Sequence, residues 1–94
     1  MEIEHDPAGQ KFFIRLDKEE AVLAYTEVNK ILDVHQLIVP EEYRAHGIAE
    51  DLCLHVFNWA KNNGYKIIPS CPYVKEAFLK KHTEFKDMVV EDYF

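Results

Sequence analysis

Positive charge is in short supply in this sequence. Eleven Lys and Arg stand against seventeen Asp and Glu, a net charge of −6 over 94 residues. Nucleic-acid binding calls for a basic face, and none is visible, so nucleic acid is not an expected partner. Acidic residues gather near both ends (Glu2, Glu4, Asp6; Glu91, Asp92). That field favours a cationic binding partner over an anionic one, weakly once salt screens it. Cysteine is scarce as well. Cys53 and Cys71 make no Cys-x-x-Cys pair and have no His at metal spacing, so neither a metal site nor a secreted disulfide framework is expected. A bond between the two stays open. No apolar run approaches a membrane span, so no membrane partner is expected. Met1-Glu2-Ile3-Glu4 lacks the apolar stretch of a signal peptide. A reduced, cytoplasmic setting is the expectation.

What the chain does have is apolar surface to bury. Hydrophobic residues make up 48% and aromatics 13%, ample for one core. One small domain over residues 1–94 is expected, folding alone as a monomer or as a weak homodimer. Ile3 between acidic residues suggests a short first strand, ended by Pro7-Ala8-Gly9. Phe12, Ile14 and Leu16 alternate along a half-buried strand over residues 11–16. Residues 21–28 predict its partner, Asn29-Lys30 a tight turn, and residues 31–39 the next strand. These form an antiparallel meander.

From Arg44 the period changes. Ile48, Leu52, Val56 and Ala60 lie four apart, with Ala49, Cys53 and Trp59 beside them, as on an amphipathic helix. Glu50 and Asp51 fall in its first turn, and Gly64 is a natural left-handed stop. Residues 65–69 predict a buried strand, parallel to the one before the helix. Residues 73–81 predict a second short helix with Val74, Ala77 and Phe78 inward, and 88–90 a last strand. The fold class is therefore α+β.

The centre of the sequence is the stretch from Val39 to Ala49. An apolar strand (Leu37-Ile38-Val39) enters a Pro-led turn, a short loop with one glycine, and then the helix. Free amides of such a loop and first turn point at one spot, where the helix dipole adds positive potential. Arg44 can add a fixed charge. A phosphate-bearing ligand suits this arrangement, although many such junctions hold nothing.

Val39-Pro40, Arg44, Gly47 and Ala49 are similar to the acetyl-CoA motif of the GCN5-related N-acetyltransferases. Lys66 to Val74 (Lys-Ile-Ile-Pro-Ser-Cys-Pro-Tyr-Val), with Phe78 and Lys81-His82, resembles the small single-domain branch of that superfamily. The resemblance implies a minimal fold of antiparallel strands, a β-α-β crossover and a second short helix. It implies acetyl-CoA or CoA as cofactor and transfer of acetyl to an unidentified amine, on a small molecule or a protein. The pantetheine arm would lie along Leu37, Ile38 and Val39. The pyrophosphate would take amides of Ala45, His46, Gly47, Ile48 and Ala49, with Arg44 beside it, and Cys71 and Phe78 would border the cofactor. The chain departs from the pattern at Ala45, where the family usually has Gly, and at His46, where it often has Arg, Lys or Gln. It also lacks the pair of N-terminal helices that line the acceptor site in longer members. A CoA-binding module with little or no transferase activity is the alternative.

Three residues stand as catalytic candidates. Cys71 can meet the acyl group as a covalent relay or a pocket wall, or can simply be core. His35 can take the acceptor's proton, directly or through water, or be bonded within the sheet; strict alternation places it with Asp33, Leu37 and Val39. Glu27 and Asp33 are other bases on the strands. Tyr73 can protonate the leaving thiolate or pack as an aromatic. His55 and His82 are expected at the surface, and Cys53 in the core.

Overall fold

The computed structural model describes residues 2–90. Five strands form one sheet in sequence order: β1 (Ile3–Asp6), β2 (Lys11–Arg15), β3 (Glu20–Val28), β4 (Ile31–Ile38) and β5 (Lys66–Pro69). β1 to β4 are antiparallel neighbours, and β5 is parallel to β4. Helix α1 (Ile48–Asn62) makes the crossover between β4 and β5. A π-helical turn (Val74–Phe78), α2 (Leu79–Lys81) and a 3-10 turn (Thr83–Met88) follow. The architecture is α+β, as expected from the sequence.

Local chemistry accounts for the turns. Asn29 and Lys30 have φ of 51° and 65°, the paired left-handed geometry that matches the twist of a two-residue hairpin. Gly64 ends α1 at φ 76°. One face of the sheet (Phe12, Leu23, Tyr25, Val34) packs on Leu52, Val56 and Phe57 of α1 and on Val74 and Phe78, all in a single buried cluster. The opposite face is open: Val28 is 50% and Ile38 48% exposed.

Three expectations need correction. First, alternation along β4 is broken by a bulge. Ala24 pairs with Gln36 but Tyr25 with Val34, which leaves His35 as the extra residue. The bulge shifts the phase of everything after it. Leu37 therefore sits opposite Leu23 on the core face, while Asp33 sits opposite Thr26 on the other. Second, Ala77 is exposed and Leu79 buried. The Leu79 amide donates to the Val74 carbonyl, and the widened turn changes which residues face inward. Third, Val89 makes one isolated parallel bridge to Ile67, supported by Val90 N donating to Ile67 O at 2.8 Å, in place of a full strand. Glu91 and Asp92 lie outside the described residues.

The first strand carries a titratable contact to the core. The His5 ring stacks on Phe12 at 3.9 Å between centroids, and its Nε2 lies 2.7 Å from the Tyr25 hydroxyl. Burial pushes the His5 pKa below its ordinary value of 6.5, against a smaller upward pull from Asp6. Between the lowered value and 6.5, the unfolded chain binds more protons than the folded one. This contribution to stability is therefore complete above 6.5 and is lost as pH falls through that window. The melting temperature should fall as pH is lowered through 6.5, and His5→Phe should flatten that slope. Equal slopes in both proteins would assign the pH dependence to other groups.

Candidate cofactor site

The pairing of β4 with β5 ends at Val34 and Pro69. Cys71 N still donates to Val34 O at 2.9 Å, but β4 continues to Ile38 with no strand along that side. The two strands part there and leave a free backbone edge on β4. Val39-Pro40 then leads into a 3-10 turn (Glu41–Tyr43), closed by Tyr43 N to Pro40 O at 2.9 Å and Arg44 N to Glu41 O at 3.2 Å.

The loop after the turn is built on left-handed backbone. Gly47 has φ 78° and Ala45 φ 68°. A side chain at such a position costs roughly 1 kcal/mol relative to glycine, so Ala45 holds strain that the usual Gly would not. Gly47 caps α1 with backbone alone. Its carbonyl accepts from Asp51 N at 3.0 Å, and no side chain bonds the first-turn amides. The amides of Ile48, Ala49 and Glu50 are left without intrahelical acceptors.

These amides border a cleft of about 390 Å³. Its walls are Val39, Tyr43 and Arg44 on the loop side and Ile48, Ala49 and Glu50 on the helix side, with Tyr73 across from them. Ala45 and Gly47 complete the rim. Arg44 Nε donates to Val39 O at 3.1 Å, which fixes the base of an exposed guanidinium. Burial, followed by Cys53 and Glu50, pushes the Tyr73 hydroxyl pKa above its ordinary 10. Tyr73 is a proton-bearing donor at neutral pH.

Glu50 brings an anion to the same cleft. Its carboxylate lies 2.6 Å from His82 Nε2 and 3.0 Å from Lys81 Nζ. The His82 hydrogen bond, then that from Lys81, holds the Glu50 carboxyl below the usual range. His82 Nδ1 faces Glu84 at 3.6 Å, and its ring stacks on Phe78 at 4.5 Å. His82 is therefore half-buried rather than on the surface, and it ties the end of the second helical segment to the start of α1. His55 is exposed as expected.

The structure gathers part of the expected set. Val39, Arg44, Ala45, Gly47, Ile48, Ala49 and Tyr73 meet at the cleft. Leu37 and Ile38 lie on the free edge of β4, Leu37 packed on the core and Ile38 exposed. His46 is exposed, with its ring edge toward Tyr43 at 6.3 Å. His35 is exposed on the bulge. Cys71 and Phe78 are drawn into the core instead. Cys71 is 5% and Phe78 1% exposed, and both belong to the core cluster. Cys71 lies two residues past the end of β5, buried near Cys53, whose thiol pKa is pushed well up by burial and then by Cys71. Tyr43 and Glu50 line the cleft without having been singled out for it. The signal for Glu50 was its place in the first helical turn; its pairing with His82 is tertiary.

Comparison with known proteins places this geometry. The profile of the GCN5-related N-acetyl-transferase family matches residues 11–88. The chain belongs to that family. Protein NATD1 of Gallus gallus is 33% identical over 91 residues, spanning 89% of this chain and 83% of its own. Protein NATD1 of Homo sapiens is 34% identical over 89 residues, spanning 87% and 79%. The solution structure of a GCN5-like protein from Staphylococcus aureus superposes with a TM-score of 0.74 at 28% identity, covering 98% of this chain and 92% of that one. The matched residues of the GCN5-related family run from β2 through Met88 and so include the whole cleft. No helix among the described residues is long and apolar enough to cross a membrane.

Proposed function

We propose that this protein binds acetyl-CoA at the mouth of α1 and transfers its acetyl group to an amine. The observation that carries this reading is the start of α1. Its first-turn amides have no side-chain cap and open, beside Arg44, into a cleft. Such a helix end favours a phosphate through its free N–H groups and its dipole. The donor set fits a pyrophosphate, with amides from Ala45 to Ala49 around it and the Arg44 guanidinium in reach. The free edge of β4 at Leu37, Ile38 and Val39 offers backbone partners to an amide-bearing pantetheine arm.

Acetyl-CoA, when bound, supplies an activated acyl thioester. The chain's own residues orient it and move protons. Tyr73 holds its hydroxyl proton at neutral pH and stands across the cleft from α1, suited to protonating a departing thiolate. His35 is exposed on the bulge where the strands part, suited to receiving the acceptor's proton through solvent. Cys71 is sealed in the core, which favours direct attack by the amine over a relay through the thiol.

A CoA-binding module with little turnover is the second reading. Two observations favour it: the strained Ala45, and the Glu50 carboxylate beside the proposed phosphate position. Calorimetry with CoA and acetyl-CoA, followed by turnover against a panel of amines, separates the two. Arg44→Ala should weaken CoA binding by about 1–3 kcal/mol, roughly five- to a hundred-and-fifty-fold, for one charge-assisted hydrogen bond. Unchanged affinity would confine Arg44 to its bond with Val39. Absence of binding in the parent protein would remove the proposal altogether.

A further inference from the structure

Glu50 is the third residue of α1, after Ile48 and Ala49. A glutamate at that position is placed to fold back over the first turn, where its carboxylate can accept from free amides and meet the positive end of the helix dipole. Glu50 is turned another way. No side chain caps the start of α1, and the carboxylate is held from outside the helix, 2.6 Å from His82 Nε2 and 3.0 Å from Lys81 Nζ. The other acid of that turn, Asp51, is exposed and does not border the cleft, whereas Glu50 does.

The two holders differ in how firmly they are themselves placed. Lys81 is a surface side chain, 69% exposed, and an exposed ion pair contributes little by itself. His82 is 17% exposed. Its ring lies on that of Phe78 at 4.5 Å, its backbone N donates to Phe78 O at 2.8 Å, and Glu84 faces its other ring nitrogen at 3.6 Å. An ionised carboxylate only accepts, so Nε2 carries the proton in this contact whether the ring is neutral or charged. The hold on Glu50 therefore comes from an anchored ring on a separate element and not from α1.

We propose that His82, helped by Lys81, is a positioning residue that keeps Glu50 from capping α1, so that the first-turn amides stay open to an incoming anion. Without that hold, the carboxylate turns back onto those amides and takes the place of a phosphate. The identity of the anion as the CoA pyrophosphate rests on the acetyl-CoA reading given above; the restraint of Glu50 does not.

The test combines amide NMR on the free protein with calorimetry using CoA. His82→Phe keeps an aromatic ring for Phe78 and removes the donor to Glu50. In that variant the amide signals of Ile48 and Ala49 should shift and exchange more slowly with solvent. Adding Glu50→Ala should reverse both changes. CoA affinity should fall about fivefold or more in His82→Phe, the worth of one helix cap. In the Glu50→Ala background, His82→Phe should make no difference to affinity. A mere tie between the two helical segments would lower the melting temperature and leave the amides unmoved. Should His82→Phe fold poorly, Lys81→Met alters an exposed position and should give smaller amide changes of the same sign. Unmoved amides in the variant that folds, or an affinity loss in His82→Phe that persists with Glu50→Ala, overturns the proposal. Amide changes reversed by Glu50→Ala, in a protein whose parent binds no CoA, would leave the restraint of Glu50 standing and remove the cofactor reading. CoA binding by the parent with unmoved amides in the variants would do the reverse.

Discussion

Gly47→Val is expected to lose CoA binding by a hundredfold or more while the chain stays folded. Gly47 adopts φ 78°, where a β-branched residue is strained by about 1–2 kcal/mol. Nothing lies within 4 Å of a Cβ built there, so no clash inside the protein adds to that strain. The new side chain would instead project into open space at the cleft rim, where an anion must approach the first-turn amides of α1. The strain also presses the loop to re-form, which turns the amides away from their common focus. The two effects fall on ligand more than on fold. Thermal melts should show a modest loss of stability, and calorimetry a large loss of affinity. Gly47→Ala should fall between the parent and Gly47→Val on both scales. If Gly47→Val binds CoA within threefold of the parent, the cofactor does not use this loop.

How much of this was legible in the sequence depends on the range of the interaction. The Asn29-Lys30 hairpin, the stripe of Ile48, Leu52, Val56 and Ala60, and the stop at Gly64 are local patterns, and the structure has them all. Ala45 was legible as a departure from the family pattern, and its φ of 68° gives that departure a physical meaning. The bulge at His35 was not legible. An alternating pattern carries no mark of an inserted residue when the residues on both sides are themselves alternating, and Leu37 is apolar whichever face it takes. The π-turn at Val74–Phe78 escaped for a similar reason, since Val74 and Phe78 are four apart and satisfy an ordinary helix. Glu50 meeting His82 depends on how the second helical segment packs against α1, a contact between residues far apart in the chain. Cys71 was placed by family resemblance beside the acyl group, whereas packing against the core beside Cys53 sets where its thiol lies.

Phe78 separates packing from cofactor contact more sharply than any other residue. It was expected at the cofactor, yet it is 1% exposed and does not border the cleft. Its ring lies 5.1 Å from that of Phe57 and 6.0 Å from that of Phe85, with His82 stacked on it. Phe78→Ala should therefore cost about 3–5 kcal/mol in stability, the range for an aromatic removed from a packed core. Domains of this kind have a total of only about 5–15 kcal/mol, so the variant should melt far below the parent and is best measured cold. Its affinity for CoA, measured where it is folded, should change only slightly. The residual change should come through His82, which loses the ring it stacks on and with it part of its hold on Glu50. Glu50→Gln in the Phe78→Ala background tests this route, because removing the carboxylate's charge should abolish any dependence on His82. A tenfold or greater loss of CoA affinity in folded Phe78→Ala, unaltered by Glu50→Gln, would instead put the ring against the cofactor.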